Sequence, residues 1–345
     1  MSLHDGPMQK LACPRTHSVL KFSGSTLVSD SGSKYFIVDD TPVMLLDDIK
    51  QTIGLAENSL KRARGGSGDA RAPELYLESL GLIDEEKSGI VDLYRSGNCK
   101  IDPVVSFLIG ATNGIMYKHL IGQLNQYPIP ELPLPISKGA TFLDIGCSWG
   151  RWCISAQRSG YAPTGIDPSL GAVMAAKRVA KGAGLPIDYV VGDARYLPFK
   201  ENSFDVVFSY SVLQHLSHEH VEKVLSEIGR VLKPGGRCVI QMPNKWALRS
   251  LYHQIRRHFR QAEGFEVRYW SLADLRSAFE NAIGRTSIFV DCFFGLGLQK
   301  SDSPLMPASK RLFIRASELL KRLSKKLPFL INVADSVFVE SCKPS

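Results

Sequence analysis

The stretch Thr141-Phe142-Leu143-Asp144-Ile145-Gly146-Cys147-Ser148-Trp149-Gly150-Arg151-Trp152 decides how this chain is read. A short apolar run with one acid inside it reads as a buried strand, and 146–150 read as a tight glycine turn into a helix opening at Arg151. Such a turn lets backbone N–H groups approach a ligand closely. Glycine turns also serve dinucleotides, so the turn alone does not choose the ligand. Asp144 discriminates. A carboxylate two residues before the first glycine sits poorly against a diphosphate and suits a ligand whose nearest group is an ammonium. The GxxxG spacing of Gly146 and Gly150, without a third glycine, also departs from the dinucleotide fingerprint.

Downstream, Thr164-Gly165-Ile166-Asp167-Pro168 is an apolar run ending in an acid that can accept both hydroxyls of a ribose. Tyr189-Val190-Val191-Gly192-Asp193-Ala194 is a strand ending in a second acid, able to accept an exocyclic amine. Ser203-Phe204-Asp205-Val206-Val207-Phe208 reads as a fourth strand, and Arg230-Val231-Leu232-Lys233-Pro234-Gly235-Gly236 turns a helix end into a fifth, 238–242. Helices are expected over 151–159, 170–182 and 217–232, the last with a plausible N-cap at Ser217. Strand and helix alternate, the pattern of a parallel sheet with helices on both faces.

In these blocks, taken in order, the chain resembles the class I S-adenosylmethionine-dependent methyltransferases, tightly over residues 137–243. The resemblance implies an α/β fold: a Rossmann-like, doubly wound, seven-stranded sheet with its last strand antiparallel. A sixth strand is expected near 286–294 and the last near 332–342. S-adenosylmethionine is the implied cofactor. Residues 142–150 would cradle its methionine half, including Asp144, Gly146, Cys147, Ser148 and Gly150. Asp167 and Pro168 would meet the ribose, Asp193 and Ala194 the adenine, and Ser209 would lie beside them. Ser148 departs from the family, which usually has a second glycine there; a small residue should still pass.

Two segments precede this core, dividing the chain into 1–56, 57–136 and 137–345. The first holds short β runs punctuated by Gly, Ser and Asp, a small β module. Through Leu11-Ala12-Cys13-Pro14 and the stretch 35–48 it looks like the zinc-ribbon-derived activator module that partners or is fused to some methyltransferases. Only Cys13 remains of the paired cysteines, with Thr16 in its partner's place, so no metal is expected and a docking role is favoured. Residues 57–75 are polar and Gly-rich and read as a flexible linker. Residues 101–124 have helical apolar spacing broken at Asn113-Gly114 and resemble the lid over the cofactor, which makes Tyr117 a candidate contact. Four prolines in 126–135 make an extended connection into the core.

At 345 residues, 44% hydrophobic and 22% charged, the composition is that of an ordinary globular protein. Seven scattered cysteines without a CxxC pair read as reduced thiols, and no apolar leader or spanning run is visible, so the expectation is a cytoplasmic protein. The net charge of +8 lies entirely in 245–345, which holds seventeen Lys and Arg against nine Asp and Glu. Two basic insertions, 245–270 and 297–331, are expected at the mouth of the site, the second carrying an amphipathic pattern over 309–330. Beyond a solvated face, this charge suits a small or lipid-linked anionic acceptor, or a peripheral contact with an anionic membrane at its inner face. Nucleic acid is disfavoured, since no stacking platform is interleaved with the charge.

For the chemistry, the residues after the fourth strand point to the reacting centre. His215 is the candidate general base, with Tyr210 as the second catalytic candidate, and Gln214, Asn244, Arg256 and Arg257 are candidate acceptor contacts. The expected reaction is methyl transfer to oxygen. The competing readings are a catalytically silent partner of the same fold and an NAD-dependent oxidoreductase.

Overall fold

The computed structural model describes residues 9–112, 115–295 and 297–345, with side chains 111, 112 and 115 outside the description. The Asn113-Gly114 break and the chain start at 1–8 lie outside the described residues.

Four short strands come first: β1 (Leu20–Ser23), β2 (Thr26–Ser29), β3 (Lys34–Val38) and β4 (Thr41–Val43), paired antiparallel in sequence. Helices α1 (Gly54–Ala63), α2 (Asp84–Ser96) and α3 (Pro103–Thr112) follow, with a 3-10 turn over Ile115–Leu120. The core then alternates β5 (Thr141–Ile145), α4 (Arg151–Arg158), β6 (Ala162–Asp167), α5 (Leu170–Gly182), β7 (Asp188–Val191), β8 (Phe204–Ser209), α6 (His218–Val231) and β9 (Leu232–Pro243). After it come α7 (Leu248–Arg256), α8 (Leu272–Ala282), β10 (Arg285–Cys292), α9 (Ala308–Ser324) and β11 (Ser336–Cys342).

All strands form one sheet in the order β1-β2-β3-β4-β7-β6-β5-β8-β9-β11-β10. Strands β5 to β9 are parallel, while β11 lies between β9 and β10 and runs antiparallel to both. The expected count of seven strands is corrected to eleven among the described residues. The N-terminal strands extend the core sheet, because β4 pairs parallel with β7 at Val43 and Val191 and Met44 N–H donates to Val191 O at 2.7 Å. Ahead of β1, Leu11 makes an isolated bridge to Phe199.

The linker expectation for 57–75 is also corrected, since 57–63 complete α1. The fully buried Ser59 explains it: its Oγ lies 2.8 Å from Pro168 O and accepts from Leu170 N–H at 2.9 Å, pinning α1 to the start of α5. Caps close the core helices, with Ser169 accepting from Ala172 N–H and Ser217 from His220 N–H. The register places the ends of β9, β10 and the start of β11 together, Pro243 opposite Ser336 and Ser336 opposite Cys292. The connections carrying α7 and α9 therefore leave from the carboxyl edge on which the glycine turn lies.

Candidate active site

The turn after β5 is held by Gly146 N–H and Cys147 N–H, both donating to Ile166 O at 2.8 and 3.1 Å. Gly146 needs its missing side chain twice over: φ is +74°, and a Cβ would lie 2.3 Å from Val212 Cγ2. Ser148 sits at φ +47°, a conformation disfavoured by about 1–2 kcal/mol for a residue with a Cβ. Its N–H donates to Asp167 Oδ2 at 2.9 Å, which offsets that strain.

Asp144 is 1% exposed at the end of β5. Its Oδ2 accepts from Cys153 Sγ at 3.3 Å while Oδ1 has no hydrogen-bond partner among the described residues, and burial pushes its pKa up to about 7. Asp167 accepts one main-chain N–H on each oxygen, from Ser148 and Ser169 at 2.9 Å, and burial lifts it to about 6. A lone pair remains on each oxygen for a vicinal diol.

Other unsatisfied buried groups surround the same turn. They are Ser148 Oγ, Trp149 Nε1, Tyr189 Oη, and both Nε and Nη2 of Arg151. Arg151 is the first residue of α4 and 8% exposed, and its guanidinium lies 5.6 Å from the Trp152 ring. Its charge acts on both Asp144 and Tyr210. Sequence reasoning missed it, although a cation where the helix dipole disfavours one was a readable signal. Tyr117, fully buried, enters one apolar cluster with Trp149, so the segment before β5 packs directly over the turn.

Several expectations change. Asp193 is not an open acceptor: Arg195, which sequence reasoning overlooked, binds it through Nε, Nη2 and its own N–H, and both residues are buried. Arg195 also donates to Lys50 O at 2.9 Å, tying the N-terminal segment to the loop after β7. Ala194 follows on the same loop, partly buried against the core. Ser209 is 0% exposed and donates its hydroxyl to Ile145 O at 2.8 Å, so it braces β5 instead of meeting a ligand. Asn244 is likewise structural: its Nδ2 reaches Ile331, Asn332 and Ala334 carbonyls at 3.3, 2.9 and 3.1 Å, clamping the return into β11.

His215 is corrected from general base to positioned neutral imidazole. Nδ1 donates to Phe265 O at 2.7 Å, the ring stacks on Phe265 at 3.8 Å, and Gln214 Nε2 approaches the other nitrogen at 3.2 Å. Burial drives its pKa down to about 4, far too low for efficient proton abstraction near neutrality. Tyr210 lies between Trp152 and Phe338 and donates to Asp291 Oδ2 at 3.1 Å; burial first, then Asp291, raises its pKa well above the usual phenol value. Arg257 donates to Val267 O at 3.0 Å and braces its loop, whereas Arg256 is exposed beside Tyr252. Among the described residues, no hydrogen bond or ion pair joins either arginine to the glycine turn.

Residues 143–240 match a family model described as a methyltransferase domain. The chain is 37% identical over 109 residues to norajmaline N-methyltransferase of Rauvolfia serpentina, covering 31% of this chain and 37% of that protein. It is 34% identical over 116 residues to ubiquinone biosynthesis O-methyltransferase of Brucella ovis, covering 34% of this chain and 46% of that one. The chain thus spans less than half the length of these two relatives. A solved Thermotoga maritima structure described as a SAM-dependent methyltransferase covers 61% of this chain and 84% of its own at 16% identity and a TM-score of 0.41, a likeness too slight to carry an argument.

Proposed function

We propose that the chain is an S-adenosylmethionine-dependent methyltransferase acting on a small-molecule or lipid-linked anionic acceptor, at oxygen. The observation that carries this reading is the set of unpartnered buried groups at the glycine turn, which includes both signs of charge: Asp144 Oδ1 and the Arg151 Nε and Nη2. Unpaired charges in such burial are costly unless a complementary ligand meets them. An amino-acid end, with an ammonium for Asp144 and a carboxylate for Arg151, satisfies both. A diphosphate placed against Asp144 and Asp167 would meet like charge.

When bound, the donor supplies a methyl group on a sulfonium sulfur open to in-line displacement. The chain's own residues bind and align. Asp144 and Arg151 hold the amino-acid end, Asp167 with Pro168 the ribose, and the Asp193–Arg195 pair with Ala194 forms the adenine wall. Tyr210, kept as a phenol by burial and then by Asp291, orients the acceptor and does not deprotonate it. His215 and Gln214 fix the loop above β8. We read β1 to β4 as the remnant of an activator-like module, fused to the sheet edge beside Asp193, and α9 as a contact with an anionic membrane face on the cytoplasmic side.

The test is incubation with methyl-labelled S-adenosylmethionine and separated soluble and lipid extracts, with the labelled product identified by mass spectrometry. The expected result is label on an anionic acceptor, together with thermal stabilisation by S-adenosylhomocysteine and none by NAD. Stabilisation by NAD alone would replace this reading with an oxidoreductase. Binding of S-adenosylhomocysteine without transfer from either extract would replace it with a silent partner.

A further inference from the structure

Amphipathic helices normally turn their apolar residues inward, yet α7 and α9 each carry an apolar stripe that faces outward. On α7, Leu248, Tyr252 and Ile255 follow i, i+4, i+7 spacing and are 79%, 55% and 58% exposed. On α9, Leu312, Leu319 and Leu323 follow i, i+7, i+11 spacing and are all exposed, while Ile314 and Ser317 take the inner side. The two stripes are bridged: Arg249 Nη1 donates to Phe294 O at 3.4 Å, and the Phe294 ring meets Phe313 edge-on at 6.0 Å. Trp246 and Phe329, 56% and 65% exposed, extend the face at either end.

The charges around this face are almost all of one sign. Residues 245–260 carry five cations and no acid, and α9 carries Glu318 as its one acid. Among the described residues, Arg249, Arg256, Arg311, Arg315, Arg322, Lys325 and Lys326 enter no ion pair, whereas elsewhere arginines such as Arg178 and Arg230 are paired. Exposed Trp, Tyr, Phe and Leu ringed by unpaired Lys and Arg is the composition of a helix lying in a headgroup layer.

We propose that α7 and α9, joined through Phe294, form a single docking surface for an anionic lipid bilayer. Apolar side chains enter the headgroup boundary and the cations meet lipid phosphates. The surface also reaches the lid: Lys310 Nζ donates to Met116 O at 3.1 Å, and Ile314 packs in the cluster that holds Tyr117 and Trp149. Docking thereby bears on the segment over the glycine turn, a consequence that rests on the methyltransferase reading, while the docking itself does not.

Three of the four tryptophans are buried, so Trp246 is a built-in reporter of docking. The full chain is mixed with vesicles of phosphatidylcholine alone, or with about a third phosphatidylglycerol, and followed by co-sedimentation and Trp fluorescence. The expected result is at least tenfold tighter binding to the anionic vesicles, weakened by salt, with a blue-shifted emission. The paired change Lys325→Glu with Lys326→Glu lowers that affinity by more than tenfold, and Leu312→Ser with Leu319→Ser abolishes the blue shift. Both variants retain S-adenosylhomocysteine binding, which also reports that they are folded. Absence of vesicle binding, or equal binding to both compositions, overturns the proposal. So does a wild-type dimer in sedimentation velocity that the Leu312→Ser, Leu319→Ser variant dissociates, since the face then belongs to a second copy. Vesicle binding without S-adenosylhomocysteine binding would overturn the cofactor reading and leave this surface standing.

Discussion

The two halves of the sheet's carboxyl edge are finished in opposite ways. Over β5, β6 and β7 the edge is closed and acidic, with Asp144, Asp167 and Asp193 each at or just beyond a strand end and met by main-chain N–H groups, a thiol or a buried guanidinium. Over β9, β11 and β10 it opens into α7 and α9, whose apolar side chains and cations face outward. The first half has its polar side chains held at set positions by hydrogen bonds, as the proposed binding of one small ligand requires. The second has the composition of a surface that recognises a class of environment. One sheet thus joins a site of fixed geometry to a site of general chemistry.

Breaking the first half should have the largest effect. Gly146→Ala forces a Cβ against Val212 at φ +74°, and we expect donor affinity to fall by about two orders of magnitude in calorimetry, with stability lowered by about 3–5 kcal/mol in a denaturant titration. Asp144 gives the next effect, and one that pH exposes. Its pKa is lifted from 3.8 to about 7, so across that window the folded chain keeps a proton that the unfolded chain has released. Stability of the unliganded protein therefore falls as pH rises through the window, by at most about 4 kcal/mol from this group. Asp144→Asn should flatten that slope in thermal melts, and a slope unchanged in the variant would show that Asp144 is not its source.

The second half is probed by Asn244→Ala, which frees three carbonyls at the root of α7 and β11. We expect a loss of about 2–3 kcal/mol in stability with donor affinity changed less than threefold, whereas Gly146→Ala loses both. The smallest effect belongs to His215→Asn. Because His215 is already neutral at pH 7, turnover should fall less than tenfold, and the pH–rate profile should show no inflection near 6.5 in either protein.

The same contrast explains what was legible in the sequence. The acidic half was readable because each block joins a β run to a glycine or an acid at fixed βα spacing, a local pattern. The pairing of β4 with β7 was not, because it depends on contacts between residues about 150 positions apart that no local period encodes. Polar residues at strand ends were read as ligand contacts at Ser209 and Asn244, yet both turned inward to satisfy backbone carbonyls, an outcome that residue type alone does not separate from ligand binding. In α1 the charged residues of 57–64 masked a helix held by one buried serine. The basic, apolar character of 245–331 was plain in composition, but which stripe faced outward was not.

Asp144, Asp167 and Arg151 are proposed to hold an S-adenosyl amino acid beside Gly146. Calorimetric titration of wild type and Asp167→Ala with S-adenosylhomocysteine tests it most directly. The account predicts saturable one-to-one binding by wild type and at least a tenfold loss in Asp167→Ala, as a ribose losing both acceptors requires. Equal heats from the two proteins, or none from wild type while NAD binds, would contradict it.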